Sequence, residues 1–126
     1  MAAINRLKIE SDLLKTGAVS PLLLEELFRT VDESISYTIE VNGGTAATSL
    51  PGFGSGAAQI ETIQTLLVLS DQNVTLNINA ANISMVVGTG NRYAAVILFG
   101  ISTTTVPTIA NSGTSTANLI VLGGGT

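Results

Sequence analysis

Ser34-Ile35-Ser36-Tyr37-Thr38-Ile39-Glu40-Val41-Asn42 alternates polar and apolar residues without a break. A strand sends successive side chains to opposite faces, so this stretch places Ile35, Tyr37, Ile39 and Val41 on one buried face. Asn42-Gly43-Gly44 ends it. Val74-Thr75-Leu76-Asn77-Ile78-Asn79 repeats the pattern, and Ile83, Met85 and Val87 form another inward set ahead of a Gly88-Thr89-Gly90-Asn91 turn. These segments commit the chain to β structure.

Working outward, residues 45–56 (TAATSLPGFGSG) read as a loop, with Pro51 and spaced glycines. Residues 59–69 (QIETIQTLLVL) have mixed periodicity but end in a β-favouring LLVL run, so a strand is expected, bulged near Glu61. Ser70-Asp71-Gln72-Asn73 is a turn. Tyr93 to Phe99 is apolar on both faces and reads as the most central strand. Pro107 assigns 106–110 to a sheet edge. Ala117 to Leu122 is the last strand, and Gly123 to Gly125 a loose tail. About seven short strands with turn signals every 8–12 residues indicate an antiparallel β-sandwich, jelly-roll-like or Ig-like.

Residues 1–32 read as an N-terminal arm or cap, and 33–126 as the sandwich domain. Within the arm, Arg6 to Glu10 alternates as a short strand. Ser20-Pro21 is a helix start, with Ser as the cap and Pro in the first turn. Leu24, Leu27, Phe28 and Val31 then follow at helical spacing as one apolar stripe. That stripe covers an open end of its own sheet or docks on a neighbouring subunit.

Charge is unevenly spread. Eleven of the fourteen charged residues lie in the first forty positions, and from Val41 to Thr126 there are only Glu61, Asp71 and Arg92. Ordinary domains carry about 25 % charged residues. Hydroxyl and amide side chains can solvate such a surface, and interface cores are also depleted of charge. A net charge of −4 and five scattered Lys/Arg lack the basic footprint of nucleic-acid binding. The opening residues lack a signal-peptide apolar region, and the longest apolar run, Ala94 to Phe99, is far short of the ~20 residues of a membrane helix. No membrane partner is expected.

Candidate chemistry is sparse. The 126 residues include no histidine and no cysteine, which excludes the common nucleophilic triads and thiolate or imidazole zinc sites. From Val41 onward Glu61 and Asp71 are the only carboxylates, at opposite ends of one expected strand, roughly 30 Å apart when extended. That separation does not suit a glycosidase pair. Gly52-Phe53-Gly54-Ser55-Gly56 lacks the lysine and following hydroxyl of a phosphate-binding loop. No catalytic, cofactor-binding or metal-binding residue is therefore expected. Phe53 on that loop is the one aromatic expected to be exposed, available to a protein partner or to a sugar ring.

The segments LLVLSDQNVTLNIN, ISMVVGTGNRYAAVILFGI and VPTIANSGTSTANLIVLGGG resemble small virion proteins of tailed bacteriophages. The shared pattern is a strand ending in an acidic turn at Asp71, a Val74–Ile78 strand, an apolar strand at 93–99, a turn across Ile109–Ala117, and a last strand ending in glycine. It spans about residues 60–125 and contains no catalytic motif. The resemblance implies a capsid decoration (cement) protein, a homo-oligomer that binds the major capsid protein or other virion subunits and stabilises the shell. A neck, tail or tail-tip component, receptor- or glycan-binding, is the alternative it implies. Leu24, Leu27, Phe28 and Phe53 are the expected protein contacts.

Overall fold

The computed structural model describes residues 3–5, 29–31 and 33–126. The strands are β1 (Ala3–Asn5), β2 (Arg29–Val31), β3 (Glu33–Val41), β4 (Thr45–Ser49), β5 (Ile63–Ser70), β6 (Val74–Ile78), β7 (Ala81–Met85), β8 (Ala94–Thr103), β9 (Thr108–Asn111) and β10 (Ala117–Gly125). There is no helix among the described residues. The expected strand at 6–10 and the helical residues 20–28 lie outside them. Arg29 to Val31, the end of the expected helical stripe, is instead strand β2, paired antiparallel with β1.

Two four-stranded antiparallel sheets account for the rest, with strand orders β3-β10-β5-β8 (sheet I) and β4-β9-β6-β7 (sheet II). From β3 onward every connection changes sheet except the β6–β7 hairpin. The alternation read in the sequence holds. Ile35, Tyr37 and Ile39 face the core on β3, and Val74, Leu76 and Ile78 face it on β6. Leu66, Val68, Leu119 and Val121 of sheet I join Leu76, Met85 and Ile109 of sheet II in one hydrophobic cluster.

Polar links tie the sheets at one end. Asn111 is 1 % exposed. Its Nδ2 donates to the Val41 carbonyl (2.9 Å) and the Ser115 carbonyl (2.8 Å), and its Oδ1 accepts from the Gly113 amide (3.1 Å). Each contact satisfies a group that burial would otherwise leave unpaired. On β3, the Tyr37 hydroxyl donates to the Pro51 carbonyl at 2.8 Å, and burial pushes its pKa up to about 12.

Four expectations are corrected. Thr45–Ser49, read as loop, is strand β4, an exposed edge held by its ladder to β9 and carrying little inward apolar pattern. β9 lies inside sheet II, not at an edge. Pro107 directly precedes it, where no ladder donor is required, and its carbonyl accepts from the Leu50 amide at 2.9 Å. The most apolar strand, β8, is an edge of sheet I, whereas β10 and β5 are central. The glycine tail is not loose: Gly123, Gly124 and Gly125 are buried within β10. On β5 both ladders shift register near Ile63–Thr65, two residues beyond the bulge expected at Glu61.

Candidate protein-contact surface

The ladders of sheet I align its outward side chains in rows. Ser36, Leu122, Leu67 and Ile97 stand side by side across the four strands, and Thr38, Ile120, Leu69 and Ala95 form the next row. Their strand neighbours Tyr37, Val121, Val68 and Val96 point into the core, so alternation sends these rows to the opposite face. Ile97, Ile120 and Leu122 are 37 %, 39 % and 38 % exposed. Leu67 and Leu69, hemmed in by both neighbouring strands, are half-buried.

The apolar part spans three strands about 4.8 Å apart and several residues at about 3.3 Å rise, a footprint on the order of a few hundred Å². That is comparable to the largest apolar patch of a typical monomer, and such patches are often functional. Its border is hydroxyl-bearing Ser34, Ser36 and Thr38 on β3, with Glu40 and the Asn118-bonded Asp71 at one end. What this face can do chemically is exclude water against another apolar surface. The apolar residues themselves carry no titratable side chain.

The residues expected as contacts fall elsewhere. Leu24, Leu27 and Phe28 lie outside the described residues. Phe53 is 4 % exposed, a correction to its expected place on a loop surface. The amide of Gly54 donates to the Ile60 carbonyl and that of Ile60 to the Gly52 carbonyl, both at 2.9 Å, folding the loop so that the ring enters the core. Phe53 is thus unavailable to a sugar or a partner. The outer-face set went unread because runs apolar at both parities, Leu66 to Leu69, Ala94 to Phe99 and Leu119 to Leu122, carry the same pattern whether a strand is covered by its own chain or by another.

Among the described residues there are also two open depressions of about 380 Å³ each. One is lined by Asp71, Asn73, Asn111 and the 113–115 turn. Three of its polar side chains, Asp71, Asn73 and Asn111, are engaged within the fold: Asp71 Oδ1 accepts from the Asn118 amide (2.7 Å), Asp71 Oδ2 from Asn118 Nδ2 (2.8 Å), and Asn73 Oδ1 from the Val87 amide (2.8 Å). The bonds from Asn118 hold the Asp71 carboxyl below its usual pKa. The other depression is apolar and lies where β7 meets β8, lined by Ile78, Ile83, Leu98 and Ile101. Among the described residues, no three His, Cys, Asp or Glu side chains cluster as a metal site would require. No protein-family model, curated protein or solved structure matches this chain.

Proposed function

We propose that the two sheets form a jelly-roll sandwich and that the chain is a non-catalytic virion structural protein, a capsid decoration or cement subunit that binds and stabilises the assembled shell. The strand orders support the first half. Eight strands in two four-stranded sheets, with consecutive strands changing sheet and the last strand beside the first, is the double-sheet jelly-roll arrangement. An Ig-like sandwich pairs consecutive strands within a sheet far more often.

The observation that carries the functional reading is the outer face of sheet I. Leu67, Leu69, Ile97, Ile120 and Leu122 form an uncharged apolar surface on a domain with three charges beyond residue 40. Such a face gains by lying against other subunits, and a subunit that binds only the assembled shell stabilises it by mass action. The resemblance of residues 60–125 to tailed-phage virion proteins supplies the setting: assembly in the host cytoplasm, with the major capsid protein or other virion subunits as partners. The burial of Phe53 weighs against a glycan-binding module built on that residue.

Protein composition of purified particles tests the reading. Hundreds of copies per particle support a decoration role, a dozen or fewer assign the chain to the neck or tail, and absence from particles contradicts a virion role.

A further inference from the structure

We infer that the free edge of β8 pairs antiparallel with the same edge of a second copy across a two-fold axis, joining two four-stranded sheets into one of eight strands. This inference stands independently of the virion reading.

β8 is bonded to β5 on one side, and among the described residues no strand is laddered to the other. Its ten residues, Ala94–Thr103, include no charge and no proline. An edge of this kind templates pairing with another chain unless something blunts it. The other three edges are blunted. β3 carries Glu33 and Glu40. β4 is five residues long with a register irregularity between Thr45 and Thr48. β7 is also five residues long. On β8 the only irregularity is at its far end, where Gly100 has a φ of +67° and the β5 ladder shifts between Ile63 and Thr65. Ala94 to Phe99 is left regular and open.

A second copy is the occupant that fits. Antiparallel pairing about a two-fold axis perpendicular to the sheet keeps each face on its own side. Ala95 and Ile97 then extend the partner's outer apolar face, while Val96 and Leu98 meet their equivalents on the core side. Val96 and Leu98 are only half-buried within one chain, and Leu98 and Ile101 line the open apolar depression at this edge. The second copy flanks that opening. Charge points the same way: a chain of net charge −4 meets itself with least repulsion along a strand that has none. Pairing β8 with β3 of another copy would be head-to-tail and would propagate without closing, whereas the two-fold pair closes.

The chain has no cysteine, so single introduced thiols give an unambiguous test. Ala95→Cys, Ile97→Cys, Leu122→Cys and Thr38→Cys would each be treated with a short bis-maleimide, and the unmodified chain weighed by light scattering after gel filtration. In the proposed pair, residues 95 and 97 lie within about 10 Å of their mates, whereas two Leu122 side chains are about 24 Å apart and two Thr38 side chains about 34 Å. The expected result is a particle of twice the 12.9 kDa chain mass, with cross-linking from position 95 or 97 and none from 122 or 38. A 12.9 kDa species at millimolar concentration overturns the inference, as does equal cross-linking at Leu122 or Thr38. So does a monomer whose β8 amides gain exchange protection only when assembled particles are added, which would assign the edge to a partner's strand.

Discussion

Gly123 stands where the ring of Phe53 needs room: a β-carbon at 123 would come within 2.8 Å of two of the ring carbons. The central strand β10 thus gives up a side chain so that a loop aromatic can enter the core between the sheets. Gly123→Ala overpacks this contact and is expected to cost about 1–3 kcal/mol in urea unfolding. Phe53→Ala leaves a cavity and costs about 3–5 kcal/mol. In the double variant Phe53→Leu with Gly123→Ala the two losses should be sub-additive, because the smaller side chain relieves the clash. Strict additivity would mean that the two residues do not share the space.

Asp71 closes the β5–β6 turn onto the start of β10 through both oxygens on Asn118. Its carboxyl is held below the ordinary range by those two bonds. A lowered folded-state pKa means the unfolded chain takes up protons first as pH falls. The stabilisation is therefore full above the unfolded pKa of about 3.9 and is lost as pH falls through the folded value. Thermal melts between pH 7 and pH 2 should show a larger fall in Tm for the native chain than for Asp71→Asn, which starts lower at pH 7 and has less to lose. Parallel curves would detach Asp71 from the acid limb.

The β6–β7 hairpin turns on Asn79 and Ala80, with φ of +51° and +65°. Both central residues in left-handed geometry make a two-residue turn of the kind that favours Asn-Gly. Asn79 suits its place, but Ala80 bears the cost of a Cβ there. Ala80→Gly is expected to raise stability by up to about 1 kcal/mol, read as a higher denaturation midpoint at unchanged slope. A lower midpoint would show that the loss of unfolded-state restriction outweighs the strain.

The β character and the inward faces were legible because alternation is local: β3 and β6 declare their buried sides within nine and five residues. Strand position was not, because it depends on long-range pairing. β8 reads as central from its two apolar faces, yet only β5 pairs with it. β9 reads as an edge from Pro107, yet the proline sits just outside the ladder and β9 is flanked on both sides. Phe53 reads as exposed from its glycine neighbours, which are there to turn the loop inward, and Gly123, seventy residues later, makes the space. The outer face of sheet I was present in the sequence as doubly apolar runs. Its identity as a surface emerges only when Leu122, Leu67 and Ile97 are seen in register.

The central claim is that this outer face holds the protein against other subunits of a particle, and co-sedimentation tests it most directly. The wild-type chain and an Ile120→Lys, Leu122→Lys variant would each be mixed with particles stripped of the protein, with circular dichroism establishing that the variant keeps the β fold. Both substituted positions are solvent-facing, so the fold is expected to survive. The account predicts that wild-type protein pellets with the particles and that the variant stays in the supernatant, a loss of at least tenfold in affinity for about 1.4 kcal/mol or more. A folded variant that pellets as well as the wild type, or a wild-type chain that does not pellet at all, would contradict it.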